Sequence, residues 1–138
     1  MGLPTLGICE ITLQTSAPAE LECFYSETVG LPVISREDDR VWLACGPRAR
    51  LGLWTPGRKE FGDRGGRHVH FALSVTRGRL EALADRLNSL SVAHHGPVEH
   101  AGGDRSLYVE DPEGNVVEVW EFFEEGEGAE RGVRALAS

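Results

Sequence analysis

Residues 106–119 read Ser-Leu-Tyr-Val-Glu-Asp-Pro-Glu-Gly-Asn-Val-Val-Glu-Val. Leu107 and Val109 alternate with Ser106, Tyr108 and Glu110, and beyond the turn Val117 and Val119 alternate with Glu118 and Trp120. Such alternation marks half-buried strands, because successive side chains leave a strand on opposite faces. Asp111-Pro112-Glu113-Gly114-Asn115 between them is made of turn formers, so a tight turn between two strands is expected, with Glu118 and Trp120 on one face.

Working outward, a strand is expected at 93–99. Before it, Leu80, Leu83, Leu87 and Leu90 keep a helical spacing behind a cap at Thr76. A strand at 68–75 opens this half, with Val69, Phe71 and Leu73 opposed to His68, His70 and Ala72. The same order occupies the amino-terminal half. Ile11 and Leu13 alternate with Glu10, Thr12 and Gln14 in a strand at 7–15. Ser16 is expected to cap a helix with Pro18 in its first turn, and Leu21, Phe24, Tyr25 and Val29 recur until Gly30 and Pro32 end it. Three strands follow, at 32–36, 40–45 and 50–54, parted by Asp38-Asp39 and Gly46-Pro47.

The strand at 50–54 lines up with 116–120, which sets Gly52 opposite Glu118 and Trp54 opposite Trp120; by the same comparison Glu10 falls opposite His68. The chain therefore reads as one domain, 1–138, holding a first βαβββ module at 6–54, a surface linker at 55–67, a second βαβββ module at 68–123 and an acidic tail at 124–138. Either module alone is too small to bury its sheet face. The expected fold is α+β, with two modules forming a curved mixed sheet around a cavity.

Composition narrows the function classes. At 138 residues, 41% hydrophobic and 26% charged, the chain is an ordinary globular domain. A formal net charge of −8 repels phosphate backbones, so nucleic acid is an unexpected partner. No apolar run approaches the ~20 residues of a membrane span, and no secretory leader is visible, so a cytoplasmic protein with no membrane partner is expected. Cys9, Cys23 and Cys45 lack any paired spacing and read as reduced, packed thiols.

Chemistry is expected on the polar strand faces. Glu10, Thr12 and Gln14 share one face, as do His68 with His70 and Glu118 with Trp120. Two carboxylates and an imidazole converging in a low-dielectric cavity need compensation, or their pKa values rise. A divalent cation held by Glu10, His68 and Glu118 would supply it, and this donor set suits Mn, Fe, Ni, Co or Zn. The bland alternative is a metal-free pocket with ordinary polar strand residues. Trp42, Trp54 and Trp120 are expected as cavity wall or core, and His94, His95 and His100 as exposed residues at a Gly-Pro loop edge.

The stretch 106–119 is similar to the closing strand–turn–strand signature of the vicinal oxygen chelate superfamily, the glyoxalase, bleomycin-resistance and extradiol-dioxygenase group. Ile11-Thr12-Leu13-Gln14, with Leu21, Phe24-Tyr25 and Val29-Gly30-Leu31, resembles its opening phrase. The resemblance runs from about 6 to 123. It implies paired βαβββ modules, a frequent homodimer, and a metal held at the starts of the first and fifth strands and the end of the eighth. Those positions match Glu10, His68 and Glu118, although the first is usually histidine or glutamine; a fourth ligand in glyoxalases would fall on Gly52. Tyr108 resembles a family tyrosine that reaches into the cavity.

The expected function is a metal-dependent lyase, isomerase or dioxygenase acting on a small oxygenated substrate. Bidentate chelation would stabilise a developing oxyanion, with Glu10 and Tyr108 as catalytic groups and Thr12, Gln14, Trp54, His70 and Trp120 lining the substrate pocket. The alternative is a metal-free protein that, like bleomycin-resistance members, sequesters a cationic small molecule against tryptophan and acidic residues. A fosfomycin-modifying enzyme ranks third.

Overall fold

The computed structural model describes residues 8–55, 69–100 and 103–121. The chain divides into two compact units, Met1–Gly65 and Gly66–Ser138, and each has the same element order. The first holds β1 (Glu10–Gln14), helix α1 (Pro18–Cys23) continued by a wider π-type turn (Phe24–Val29), β2 (Val33–Glu37), β3 (Arg40–Ala44) and β4 (Arg50–Trp54). The second holds β5 (His70–Val75), α2 (Leu80–Ser89), β6 (His94–Glu99), β7 (Arg105–Glu110) and β8 (Val116–Glu121). The sheets run β1-β4-β3-β2 and β5-β8-β7-β6. In each, the first strand lies parallel to the last and the remaining pairs are antiparallel. This is the α+β arrangement of two βαβββ modules. Among the described residues no helix is long and apolar enough to cross a membrane.

The alternation read from the sequence sorts the faces. Leu13, Leu43, Leu51 and Leu53 are buried in the first unit, with Leu21, Phe24 and Tyr25 of the helical segment. Phe71, Leu107, Val109, Val117 and Val119 are buried in the second, with Leu80, Ala84 and Leu87 of α2. Three apolar expectations shift, the first being Val69, which precedes β5 and is exposed. The π-type turn hydrogen-bonds Gly30 N to Tyr25 O, which rotates the last turn so that Thr28 is buried and Val29 is only half-buried. Leu90 falls at the end of α2 and is 50% exposed.

Both helix starts differ from expectation. Ser16 caps nothing; Thr15 Oγ1 accepts the Ala17 N–H at 2.8 Å. Thr76 does not cap α2 either. The fully buried Glu121, from the end of β8, places Oε1 at 2.7, 3.0 and 3.3 Å from the N–H groups of Gly78, Arg79 and Leu80. Its Oε2 accepts from Arg105 Nη2 at 2.9 Å, and Arg105 Nη1 also pairs with Glu81. A carboxylate at the positive end of a helix, neutralised on its other side by a guanidinium, resolves the cost of burying its charge.

Packed cysteines are also corrected: Cys9 and Cys23 are exposed and Cys45 half-buried, all as free thiols.

Candidate functional site

The polar face of the second sheet collects a connected set of side chains. Strand register aligns Ala72 with Glu118 and Glu118 with Tyr108, and it places Ser106 beside Trp120. Glu118 is the hub. Its Oε1 accepts from Trp120 Nε1 at 2.9 Å, and its Oε2 is hydrogen-bonded to His70 Nε2. A carboxylate accepts only, so Nε2 of His70 carries the proton and Nδ1 is the basic nitrogen. The His70 side chain is 60% exposed and that of Glu118 only 16%, so a ligand meets the imidazole first.

Desolvation is the largest single influence on Glu118 and pushes its pKa up. It is outweighed by the Trp120 and His70 hydrogen bonds, the attraction of His70 and the Tyr108 hydroxyl opposite, so the carboxyl is held below its ordinary range. The rise expected for a cavity carboxylate is therefore reversed by donors from the chain itself. The sign carries to stability. A depressed carboxylate pKa stabilises the fold above the unfolded-state value, and that contribution is lost as pH falls through the folded one. Acid unfolding followed by circular dichroism should lose this component in Glu118→Gln; an identical pH profile would contradict it.

His100 and Ser106 extend the set. His100 Nε2 lies 2.7 Å from Ser106 Oγ, which donates to the Tyr108 hydroxyl at 3.0 Å. The His100 ring stacks on Trp120, centroids 4.5 Å apart and planes 16° from parallel. The exposure expected of the late histidines holds for His95, while His94 and His100 are half-buried. His94 and His95 lie within β6, inside the strand expected at 93–99, and the register slips between His95 and Val98. The Ser106-x-Tyr108 alternation was the signal pointing to this face; nothing local pointed to His100, which lies beyond the end of β6.

The matching face of the first sheet is built differently. Glu10 Oε1 pairs with Arg50 Nε and Nη2, each at 2.9 Å, and Oε2 accepts from Thr12 at 3.1 Å. Arg50 lies over the Trp42 ring at 3.7 Å and Arg40 over the Trp54 ring at 3.9 Å. The two indoles meet edge to face at 6.1 Å. Gln14 stands exposed beside Trp54 in the strand register. Trp54 Nε1 is buried without a hydrogen-bond partner among the described residues.

Gly52 sits beneath these rings. A Cβ there would fall 2.6 Å from Trp42 Cζ3 and 3.0 Å from Trp54 Nε1. Gly52→Ala is therefore expected to destabilise the protein by about 1–3 kcal/mol, the usual cost of overpacking. Thermal unfolding checks this, and an unchanged midpoint would refute it.

Strand register revises the internal comparison of the two modules. Gly52 pairs with Thr12 and Glu118 with Ala72. Two residues upstream on β1 and β5, Glu10 therefore corresponds to His70 and not to His68. His68 itself lies outside the described residues. Of the candidates, His70, Tyr108, Glu118 and Trp120 come together in the second unit, and Glu10, Thr12, Gln14 and Trp54 share a face of the first. Among the described residues no cluster of three or more His, Cys, Asp or Glu side chains could hold a metal ion. The donor chemistry agrees: both Glu118 oxygens and both Glu10 oxygens are already engaged, and Glu10 has a guanidinium beside it that would repel a cation.

Residues 10–120 match the family model described as a glyoxalase-like domain. A solved lactoylglutathione lyase from Agrobacterium tumefaciens is similar at 24% identity and TM-score 0.69, over 86% of this chain and 95% of that one. A glyoxalase/dioxygenase from Nostoc punctiforme is similar at 19% and 0.69, over 86% and 92%. A glyoxalase/bleomycin resistance protein/dioxygenase from Nocardioides is similar at 21% and 0.66, over 91% and 88%. At these identities the solved structures speak for the fold. The family match covers most of the sequence, and with the paired βαβββ modules it places the chain in the glyoxalase-like domain family, within the vicinal oxygen chelate superfamily.

Proposed function

We propose that the chain is an enzyme that moves a proton on a small oxygenated substrate, using its own side chains where many superfamily members would be expected to use a metal. The observation that carries this reading is the Glu118 hub, an ionised carboxylate bound to an exposed imidazole and faced by a phenol. His70 takes the proton from a carbon next to a carbonyl through Nδ1. Glu118 fixes the tautomer and stabilises the imidazolium that forms, and Tyr108 donates to the oxygen on which charge develops. His70 then returns the proton, to the same carbon or its neighbour. The lactoylglutathione lyase neighbour makes thiol adducts of small oxo-aldehydes natural trial substrates.

A metal fits the described residues poorly, since Glu118 is saturated by Trp120 and His70, Glu10 by Arg50 and Thr12, and Gly52 offers no donor. Tag-free protein is accordingly expected to hold well under one equivalent of divalent metal and to keep its unfolding midpoint in chelator. One tightly held equivalent that disappears in Glu118→Gln would overturn this. Sequestration of a cationic drug is disfavoured by the tryptophans themselves: Arg50, Arg40 and His100 already cover a face of Trp42, Trp54 and Trp120.

A further inference from the structure

We infer that His100 and Ser106 are positioning residues that hold the Tyr108 hydroxyl in one direction, through a one-way hydrogen-bond relay running from His100 to Ser106 to Tyr108. The inference rests on the proton-transfer reading for its catalytic consequence, although the relay itself does not. Ser106 Oγ lies 3.0 Å from the Tyr108 oxygen, and because the Tyr108 proton is directed to Glu118, Ser106 is the donor of this pair. A serine hydroxyl has one proton, so toward His100 the same oxygen can only accept. His100 Nε2, at 2.7 Å, must then carry hydrogen.

Geometry locks both ends. The His100 ring is stacked on Trp120, which is itself tied to Glu118. The His100 backbone N–H donates to Asp104 O at 2.8 Å, and its carbonyl accepts from Gly103 N at 3.1 Å. Ser106 is fully buried, so water does not compete for its hydroxyl. With one lone pair of the Tyr108 oxygen occupied by Ser106, its proton turns away from Ser106, and Glu118 lies opposite Tyr108 across the β7–β8 pair. The Tyr108 proton is thereby directed to the Glu118 side of the site, from where it can be passed to an oxyanion seated there.

The test has two independent arms. Long-range proton–nitrogen NMR of the full chain should find neutral His100 as the Nε2–H tautomer. Tyr108→Phe should redistribute it toward Nδ1–H, because the Ser106 proton, losing its acceptor, can turn to His100, a ring Tyr108 replacement does not touch directly. A wild-type Nδ1–H tautomer, or no change in Tyr108→Phe, would overturn the relay. In the second arm, proton–deuterium exchange into hydroxyacetone is followed in D2O. His100→Phe keeps the stack but lacks the donor, and should lower kcat about tenfold, the scale of one hydrogen bond, with KM unchanged. His100→Gln should restore it. A loss confined to KM, or a glutamine variant as slow as phenylalanine, would overturn the positioning role. A wild type with no exchange but the tautomer pattern intact would refute the proton-transfer reading and leave the relay standing.

Discussion

Glu121→Ala is expected to lower the free energy of unfolding by about 3–5 kcal/mol, the range found when one partner of a buried ion pair is removed. Three effects combine at this position. The N–H groups of Gly78, Arg79 and Leu80 lose their shared acceptor at the start of α2. Among the described residues Arg105 keeps only Glu81 as an ion-pair partner, and that side chain is 57% exposed. The vacated volume is itself fully buried, since Glu121 is 0% exposed. Glu121→Gln keeps an oxygen for the helix and should cost less, because it removes the charge and leaves the acceptor. Urea unfolding followed by tryptophan fluorescence and circular dichroism measures both variants. A loss below about 1 kcal/mol in the alanine variant, no more than an ordinary exposed ion pair contributes, would show that the cap is replaced by solvent.

The second large effect is on chemistry. Glu118→Gln should slow exchange of the carbon-bound protons of hydroxyacetone, or of an oxo-aldehyde thiol adduct, by about 10²–10⁴-fold, the contribution typical of positioned acid–base catalysis. The volume is conserved and the Trp120 donor can still be met by the amide oxygen. The amide nitrogen, however, donates toward His70 Nε2 and favours the opposite tautomer, moving the basic lone pair away from Nδ1. His70→Ala should fall as far. Wild type no faster than buffer across the trial substrates would sink the reading, as would a glutamine variant equal to wild type.

The two variants separate the second sheet into its halves. Glu118 and Glu121 are three residues apart on β8 and point to opposite faces. One carboxylate organises the polar face, and the other is spent on holding a helix to the apolar one. Combining both changes should give additive losses in stability, since the sheet stands between them.

How much of this was legible beforehand follows from what repeats in a chain. The period-two alternation around Ile11-Leu13, Val117-Val119 and their neighbours, the leucine spacing of 80–87 and the 111–115 turn were readable without coordinates, because each depends on local backbone geometry. They determined the two βαβββ modules and put Glu118 and Trp120 on one face, to which the strand register adds Tyr108. Register was not readable, since sliding a parallel pair by two residues preserves every face. The sequence comparison therefore matched Glu10 with His68, and only the β5–β8 pairing picked out His70 as the imidazole that touches Glu118. Long-range partnerships were equally hidden. Glu121 caps a helix some forty residues earlier in the chain, Arg50 lies across Trp42, and His100 returns to Trp120. Local pattern thus determined which faces are polar. Tertiary structure alone decided which charges are already satisfied there, because the energy of a charge depends on whatever donors the fold brings to it, from any distance along the chain.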